Sequence, residues 1–421
     1  MEVLQGTYKD TKIGRIPKDW DVMKLKDLGT FFKGQSVSSN HITSDGKPII
    51  RYGDLYVQYK NKNTVTHFAF FADPKILKED KNLLYGDILF TGTGETQEDI
   101  GKCVAFLRND EAYAGGDIIV FRPNSNNVNS EVLSYILSTG KVLNAKQRLG
   151  QGSSIFHTYS QHLEKLNIPL PPLPEQQKIA AILSTVDEQI STKDKIIEKS
   201  KELKKGLMQK LFSEGIGHTE FKDTKIGRIP KDWEVKTLED VFHFNNGKGH
   251  EQFIEENGDY IVVNSKFISR EGRVKKFSNK QMSPLLVNDI TMVMSDVPNG
   301  KALAKCFLIE KNNRYSLNQR ICGLRLKDEE KDNVNFFFYN LNRNKGFLKY
   351  NDGVSQTNLR KSEVLGCLLA YPSNEEQKKI AAILLEAGAK IEKEQTQKAQ
   401  LEQLKKGLMQ QLLTGKKRVR V

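Results

Sequence analysis

An internal repeat is the feature of this sequence that most restricts how the chain can fold. Three blocks occur twice without change, separated by about 200 residues, which is too long for a solenoid and indicates a duplicated unit of a domain followed by a helix. The same spacing separates the second and third blocks in both halves. The repeated blocks are KDTKIGRIPKDW (Lys9–Trp20 and Lys222–Trp233), IAAIL (Ile179–Leu183 and Ile380–Leu384) and LKKGLMQ (Leu203–Gln209 and Leu404–Gln410).

The charge of the chain restricts its partners. With 421 residues and a formal net charge of +13, the chain has room for two or three domains and favours an anionic partner. Nucleic acid is favoured over an acidic protein, although a merely basic protein stays possible. Because the chain is duplicated, a duplex with two half-sites is the candidate that suits it best.

Cysteine usage and the absence of certain motifs limit the chemistry. Cys103, Cys306, Cys322 and Cys367 form no C-x-x-C pair, which favours reduced thiols over disulfides or a zinc site. We find no signal peptide, no apolar run long enough to cross a membrane and no phosphate-binding G-x-x-x-x-G-K-[ST] motif. We therefore expect a cytoplasmic protein that is not an enzyme and that holds no metal.

Two long segments carry apolar residues at helical spacing between charged flanks, which indicates a coiled-coil-like seam. We predict helices from about Glu175 to Phe212 and from about Glu375 to Leu413, ended by Gly215 and Gly415. Ser373 and Glu376 have the spacing of a capping box. The preferred arrangement is an antiparallel pair, and two separate helices are the alternative. The apolar positions are Ile179, Leu183, Val186, Ile190, Leu203, Leu207, Ile380, Leu384, Ile391, Leu404 and Leu408.

The rest of the chain alternates between strand-like and helix-like segments and predicts mixed α/β domains. Short helices are expected at Ser130–Leu143 and Val334–Lys345. Trp20 and Trp233 lie in copied segments, so we interpret them as packing anchors. The predicted organisation is an opening segment (1–20), a first domain (21–172), a central helix (173–213), a repeated opening segment (214–233), a second domain (234–372), a C-terminal helix (373–415) and a basic tail (416–421) that is either a flexible arm or a solubilising end.

This order of segments resembles the specificity subunits of type I restriction-modification systems. The resemblance is carried by the IGRIPKDW segments, by the Pro171-Pro172-Leu173-Pro174-Glu175-Gln176 junction before the first helix, and by their repetition along nearly the whole chain. The second junction, Tyr371-Pro372-Ser373-Asn374-Glu375-Glu376, lacks the Pro-Pro-Leu run.

The resemblance implies a subunit without catalysis of its own. Each domain would recognise one half of a split sequence in double-stranded DNA, and the helices would fix the gap and dock two methyltransferase subunits. S-adenosylmethionine, ATP and Mg²⁺ would be bound by those subunits and by two restriction motor-nuclease subunits, with no cofactor on this chain.

Loops rich in Gly, Asn, Ser and basic residues are the candidate DNA contacts, because Lys and Arg meet phosphates while Gln and Asn bond base edges. Such clusters are also ordinary turns, and Tyr side chains are commonly part of a core. The candidates are Lys33, Gln35, Ser36, Arg51, Tyr52, Tyr56, Arg148, Gln151, Ser153 and Ser154 in the first domain, and Lys248, His250, Asn264, Lys266, Ser355, Gln356 and Asn358 in the second.

Two other functions fit the same sequence. A stand-alone DNA-binding regulator would need no enzyme partner and would satisfy its helices within the chain. A scaffold or toxin-like interaction protein would carry its basic charge incidentally. The steep weakening of DNA binding with salt would separate the second alternative from DNA-binding functions.

Overall fold

Two units divide the chain in the computed structural model: unit 1 comprises Met1–Lys195 with Thr396–Val421, and unit 2 comprises Ile196–Gln395. The structure describes residues 8–124, 126–152, 155–296, 301–351 and 357–420. Each unit contains a mixed α/β domain and segments of two long helices, which confirms the predicted fold class and its internal repeat.

A four-stranded antiparallel sheet is the centre of unit 1, in the order β10-β8-β12-β4, and a second sheet has the order β11-β6-β7-β5. The shorter helices are α1 (Tyr52–Val57), α2 (Ser130–Leu137), α3 (Gly140–Gln147) and α4 (Ser160–Leu163). The strands are β1 (Tyr8–Thr11), β2 (Gly14–Pro17), β3 (Asp21–Lys24), β4 (Gly29–Lys33), β5 (Ile42–Thr43), β6 (Lys47–Ile50), β7 (Phe70–Ala72), β8 (Asp87–Thr91), β9 (Thr93–Gly94), β10 (Cys103–Phe106), β11 (Tyr113–Ala114), β12 (Ile118–Pro123), β13 (Phe156–His157) and β14 (Asn167–Leu170).

Unit 2 repeats this plan with a sheet in the order β18-β25-β21-β23 and a three-stranded sheet in the order β20-β19-β24. Its shorter helices are α6 (Leu238–Val241), α7 (Ser265–Ser269), α8 (Val334–Leu341), α9 (Lys345–Leu348) and α10 (Lys361–Leu365). The strands are β15 (Phe221–Thr224), β16 (Gly227–Pro230), β17 (Glu234–Thr237), β18 (Phe242–Asn246), β19 (Tyr260–Val263), β20 (Phe277–Ser278), β21 (Ile290–Val293), β22 (Ser295–Asp296), β23 (Cys306–Leu308), β24 (Tyr315–Leu317), β25 (Ile321–Leu326), β26 (Thr357–Asn358) and β27 (Leu368–Tyr371).

The long helices α5 (Leu173–Glu214) and α11 (Asn374–Leu412) are antiparallel within each unit. In unit 1, Lys405 Nζ lies 2.6 Å from Asp187 Oδ1 and Lys398 Nζ lies 2.6 Å from Asp194 Oδ1, so the numbering rises on one helix as it falls on the other. In unit 2, Lys204 lies opposite Gly388, where an added Cβ would be 2.9 Å from Nζ. Just past the end of α5, the Ile216 N–H donates to Glu376 Oε1 at 2.9 Å, so the numbering runs in opposite directions in unit 2 as well. The prediction of an antiparallel pair is therefore confirmed within each unit.

A tryptophan and a glutamate join each domain to the start of its long helix. Trp20 donates its indole N–H to Glu175 at 2.9 Å, and Trp233 donates to Glu376 at 2.8 Å. Both indoles are almost fully buried, at 0% and 1% exposure. The copied opening segments thus serve as packing anchors, as the sequence predicted.

A glutamine at each junction ties the helix to the domain through backbone groups. Gln176 accepts from the backbone N–H of Asn129 at 2.8 Å, and Gln377 accepts from that of Asn333 at the same distance. Asn129 and Asn333 in turn cap α2 and α8 with their side chains. The second junction keeps this bonding although it lacks the Pro-Pro-Leu run.

Two residues of the basic tail, Arg418 and Val419, are packed into unit 1. This part of the tail is neither a flexible arm nor a solubilising end. The Arg418 guanidinium bonds Glu175 at 2.7 and 2.8 Å and Asp19 at 2.9 and 2.6 Å. Val419 is buried in the core of the unit. Both predicted roles of the tail are therefore corrected for these two residues.

Two local predictions were wrong in detail. The helix expected over Ser130–Leu143 is two helices, because the chain turns at Gly140 with a φ of +59°, and that expected over Val334–Lys345 breaks where Arg343 has a φ of +62°. The capping box is only half formed. Ser373 Oγ accepts from the Glu376 N–H at 3.4 Å, while the Glu376 carboxylate accepts from Trp233 instead of from the Ser373 N–H.

Each unit has its own hydrophobic core. The main core of unit 1 joins the β10-β8-β12-β4 sheet and α2 to Ile179 and Leu183 of α5. The main core of unit 2 joins the equivalent sheet and α8 to Ile380 and Leu384 of α11. Among the described residues, no helix combines the length and the hydropathy that a membrane span requires.

Candidate nucleic-acid interface

One edge of each central sheet collects the loops that contain the candidate residues. In unit 1, Lys33 at the end of β4 pairs with Ile119, and Thr91 at the end of β8 pairs with Ile118, both at the start of β12. In unit 2, Asn246 at the end of β18 pairs with Cys322, and Val293 at the end of β21 pairs with Ile321, at the start of β25. We call this the loop edge of each unit.

Segments distant in sequence meet at the loop edge of unit 1. The pairing of β9 with β13 places Gly94 opposite Phe156 and Thr93 opposite His157. The Gly115 N–H donates to the Ile50 carbonyl at 2.7 Å, which places α1 and its first residues at the same edge. The described candidates of the first domain therefore converge on one edge, although they come from three separate segments.

Most of the described candidates are exposed or half-buried on these edges. Tyr52 is 43% exposed, and its ring lies 6.5 Å from that of Tyr56. Arg51 holds its guanidinium over the ring of Phe70, with 3.2 Å between the guanidinium carbon and the ring centroid. Ser153, Ser154, Ser355 and Gln356 lie outside the described residues. The exposed candidates are Lys33, Ser36, Tyr52, Arg148, Gln151, Lys248, Lys266 and Asn358.

Two candidates already use their polar groups in hydrogen bonds to the backbone of the same unit. The Gln35 amide donates to the Ile76 carbonyl and accepts from the Lys78 N–H at 2.8 Å, so both of its ends are bonded to backbone. Asn264 caps α7 by accepting from the Phe267 N–H at 2.9 Å. Bonding to DNA would require these side chains to give up such bonds, and their assignment stays a prediction.

His250 conflicts with the prediction of a DNA contact. It is 1% exposed, and its ring nitrogens bond the Lys248 carbonyl and the Ser316 hydroxyl, both at 2.7 Å. Burial lowers the pKa of the imidazole. His250 therefore stabilises the loop that carries Lys248, because no ring nitrogen remains for DNA.

An arginine and an aspartate brace each central sheet in the same way. Arg122 bonds Asp87 through Nε at 2.9 Å and through Nη2 at 2.7 Å, and Arg325 bonds Asp289 at 2.7 and 2.8 Å. Each aspartate is 1% exposed. Charge-assisted bidentate pairs of this kind fix geometry, so both loop edges stand on the same rigid frame.

The apolar positions on the long helices, which we predict to dock partner subunits, fall into three groups. Leu203 is 64% exposed and Leu404 is 51% exposed. Leu207, Leu408, Ile190 and Ile391 are half-buried. Contrary to the prediction of a docking role, five positions are buried inside the chain: Ile179, Leu183, Val186, Ile380 and Leu384.

The sequence did not identify the contacts that hold the 92–101 loop. Tyr56 anchors it from α1, where its hydroxyl lies 2.9 Å from Thr91 Oγ1, 2.7 Å from the Thr93 carbonyl and 3.1 Å from the Asp99 carbonyl. Burial raises the pKa of Tyr56 to about 12, so the phenol keeps its proton at neutral pH. Gly94 and Gly101 were the sequence signals of a glycine-bearing hairpin or DNA-facing loop here, and Gly101 has a φ of +66°.

Comparison with known proteins agrees with this architecture. The family described as type I restriction modification DNA specificity domain matches residues 17–202 and 230–403. A protein of Methanocaldococcus jannaschii, provisionally named the MjaX specificity subunit of a type I restriction enzyme, is 32% identical over 99% of this chain and 98% of its own length.

Solved structures show the same fold at low sequence identity. The S subunit of a type I restriction-modification system from M. genitalium has a TM-score of 0.58 at 16% identity, and the match covers 93% of this chain and 96% of that one. A chain from a study of complex assembly in the type I system has a TM-score of 0.57 at 14% identity and covers 95% and 99%. On the family match and the full-length relative together, this chain belongs to the family of type I restriction-modification DNA specificity proteins.

Proposed function

We propose that the chain is the DNA specificity subunit of a type I restriction-modification complex, in which each unit recognises one half of a bipartite sequence. The observation that carries this is the contrast within the repeat. Both loop edges stand on the same braced sheet, whereas the side chains that their loops expose differ. Two different half-sites recognised by one scaffold would produce this contrast.

The proposed organisation assigns recognition to residues 21–172 and 234–372 and spacing to the helices at 173–213 and 373–415. The opening segments 1–20 and 214–233 anchor the domains through Trp20 and Trp233. The chemistry would belong to methyltransferase and restriction subunits, which would hold S-adenosylmethionine, ATP and Mg²⁺. Cellular DNA as the substrate implies a cytoplasmic location.

Exposed leucines favour this function over a stand-alone regulator. Leu203 and Leu404 occupy the same position in the two copies of LKKGLMQ, and both are more than half exposed. Large apolar side chains at matching exposed positions suit two contacts with one kind of partner. A regulator that works alone has no use for them, so we assign them to the docking of two methyltransferase subunits.

An exchange of domains tests the proposal. Residues 234–372 would be replaced by the corresponding domain of another family member, and the chimera would be expressed with its methyltransferase. Sequencing of the modified bases in host DNA should show one altered half-site and one unchanged half-site. A change in both halves, or in neither, would contradict independent recognition.

A second experiment tests the role of the helices in spacing. Four residues inserted after Ser191 and four after Gln395 lengthen both rods equally, by about 6 Å at 1.5 Å per residue. We expect a longer unspecified gap between otherwise unchanged half-sites in the methylated sequence. An unchanged gap would contradict the spacing role, while the assignment of the recognition domains would stand.

A salt titration separates DNA binding from an incidental basic charge. The complex with its methyltransferase should bind a duplex with an affinity that falls linearly on a log–log plot against salt concentration. A scaffold whose charge is incidental would show no sequence preference and only weak binding at physiological salt. Purified chain alone provides the comparison for the contribution of the partner.

A further inference from the structure

We infer that residues 95–98 form the base-contacting tip of unit 1, that Gln97 is a specificity-determining residue for an A·T base pair, and that Tyr56 is the positioning residue behind it. The inference rests on the proposed function, because it names the residue that would discriminate bases at one half-site. It was not apparent from the sequence, in which Gln35 was the candidate amide of this region.

Hydrogen bonds from neighbouring residues fix the conformation of the tip. Asp99 Oδ2 accepts from the Thr96 N–H at 3.1 Å and from the Thr96 hydroxyl at 2.7 Å, which closes a turn around Gln97 and Glu98. The Gln147 amide donates to the Glu98 carbonyl at 2.9 Å. Side chains of residues 95–98 are exposed, whereas the backbone that carries them is bonded to its surroundings.

Tyr56 joins the base of this loop to the central sheet. Its hydroxyl lies within 3.1 Å of three oxygens, one on Thr91 at the end of β8 and two on the backbone of the loop. A Cβ added at Gly94 would lie 3.2 Å from the Tyr56 hydroxyl, so the loop passes close over the ring. The phenol therefore fixes where the tip projects without being exposed itself.

Hydrophobic packing supports the same loop from the side of α3. Ile100 is 1% exposed, and an added Cβ at Gly150 would lie 2.9 Å from its Cγ1. Lys146 is buried, and its aliphatic chain packs under Gly101, where an added Cβ would lie 2.9 Å from Cγ. Lys146 Nζ lies 3.6 Å from Cys103 Sγ. Burial lowers the pKa of Lys146.

Gln97 has the chemistry that base recognition requires. Its side-chain amide has no hydrogen-bond partner among the described residues, in contrast to Gln35, whose amide is bonded at both ends. An amide can accept from N6 of adenine and donate to N7 at the same time, in the major groove. The tip carries Glu95 and Glu98 and no basic residue, so its carboxylates can accept from N4 of cytosine at a base edge, whereas phosphates would repel them.

The test uses the chain in complex with its methyltransferase and measures the spectrum of methylated sites in random-sequence DNA. Gln97→Ala should weaken discrimination at one base pair of one half-site by about tenfold, because the two hydrogen bonds of the amide to the base can no longer form. Tyr56→Phe keeps the ring and removes the hydroxyl, and should relax the same half-site over more than one base pair. The other half-site should be unchanged in both variants.

Matched controls separate this inference from the proposed function. Asp27→Asn alters an exposed polar side chain at the opposite edge of the same sheet and should leave the spectrum unchanged. If Gln97→Ala leaves both half-sites as in the wild type, the inference is overturned while bipartite recognition stands. If the wild-type complex methylates no bipartite site, the proposed function and the inference fail together.

The half-site that stays unchanged is an internal control for folding. A general loss of structure in Tyr56→Phe would reduce methylation at all sites without altering the preferred bases. Such a result, together with an unaltered spectrum for Gln97→Ala, would overturn the positioning role. A spectrum that changes in one half only cannot arise from a uniform decrease in folded protein.

Discussion

The two units differ in which side chain bonds the buried glutamate at the junction beside the indole. In unit 1, Glu175 is 2% exposed and bonds the guanidinium of Arg418. In unit 2, Glu376 is 13% exposed and bonds the imidazole of His218 at 3.0 Å. The indole partner is the same in both. The two copies therefore share the indole and differ in the second partner, which is a guanidinium in unit 1 and an imidazole in unit 2.

A second difference lies between the facing surfaces of the long helices. In unit 1, Lys405 bonds Asp187 at 2.6 Å and Asn63 at 3.0 Å, while the Tyr135 hydroxyl donates to the same aspartate at 2.6 Å. In unit 2, Lys204 lies 4.6 Å from the ring centroid of Tyr339, and Gly388 stands in the position of the aspartate. The lysine and the tyrosine remain, and the carboxylate is missing.

The loop edges differ in charge as well. In unit 2 the edge carries exposed Lys248, Lys266 and Arg320, whereas in unit 1 exposed Lys33 and Arg148 share the edge with the exposed carboxylates of Glu95 and Glu98. The comparison shows where selection acted after duplication. The braces and the junction tryptophans are shared by both units, and under the proposed function the edges differ because each would recognise its own half-site.

Removal of the arginine in the tail should cause the largest effect. Arg418→Ala leaves a buried carboxylate with only an indole N–H, and should lower the free energy of unfolding of unit 1 by about 3–5 kcal/mol. His218→Ala, its counterpart in unit 2, should cost about 1 kcal/mol, because Glu376 keeps two other donors and is more exposed.

Urea unfolding measures this difference unit by unit. The chain has two tryptophans, one in each unit, so fluorescence in a Trp233→Phe background follows unit 1, and in a Trp20→Phe background follows unit 2. Lys417→Ala removes the same charge from an exposed neighbour and should have little effect. Equal destabilisation by Arg418→Ala and His218→Ala would contradict the difference between the two junctions.

Electrostatic attraction to DNA should come mainly from unit 2. Replacing Lys248, Lys266 and Arg320 together by alanine should weaken binding by roughly a hundredfold at physiological salt, and lower the salt slope by about 0.9 for each phosphate that is no longer neutralised. Lys33→Ala in unit 1 should lower the slope by no more than about 0.9, the value for a single phosphate. Titration of the methyltransferase complex at several salt concentrations measures both, and a loss of affinity in Lys33→Ala as large as in the triple variant would contradict the asymmetry.

Replacement of Asp187, whose counterpart in unit 2 is Gly388, should destabilise unit 1 to an intermediate extent. Asp187→Ala leaves Lys405, whose side chain is 11% exposed, and the Tyr135 hydroxyl without their carboxylate, at a cost of about 2 kcal/mol. Asp194→Ala breaks a more exposed pair and should cost less than about 1 kcal/mol. Thermal unfolding of the two variants side by side makes the comparison, and an equal effect in both would show that burial is not the deciding factor.

These contrasts explain which features the sequence could predict. Repetition and periodicity predicted two α/β domains, the long helices and the role of Trp20 and Trp233, because each depends on local pattern or on identity between the halves. The broken helices escaped prediction because a single backbone conformation, at Gly140 or at Arg343, interrupts an otherwise suitable pattern.

The loop edges were predictable only in part. Residue type marked Gln35 and His250 as candidates, but type does not show whether a polar group is already bonded within the fold. The Tyr56 anchor depends on contacts between α1 and a loop distant in sequence, at separations of 37 and 43 residues. The ion pairs of Arg418 join residues that are 243 and 399 positions apart in the sequence, so no local pattern predicts them.

Restoring the missing carboxylate in unit 2 should have the smallest effect and is the most direct test of the comparison. Gly388→Ala alone should add about 1 kcal/mol of stability, because glycine is a poor residue within a helix. Gly388→Asp should in addition pair with Lys204, whose pKa is lowered by burial. Gly388→Asn has the same shape without the charge, so Gly388→Asp should be the more stable of the two by about 0.5–1 kcal/mol at low salt.

A double-mutant cycle then assigns that difference to the lysine. In a Lys204→Ala background, the aspartate and the asparagine variants should unfold at the same urea concentration, because no cation remains opposite position 388. If the aspartate keeps its advantage without Lys204, the gain comes from elsewhere on the helix. The two units would then balance charge between their helices by unrelated means, and the parallel between Lys405 and Lys204 would be limited to sequence.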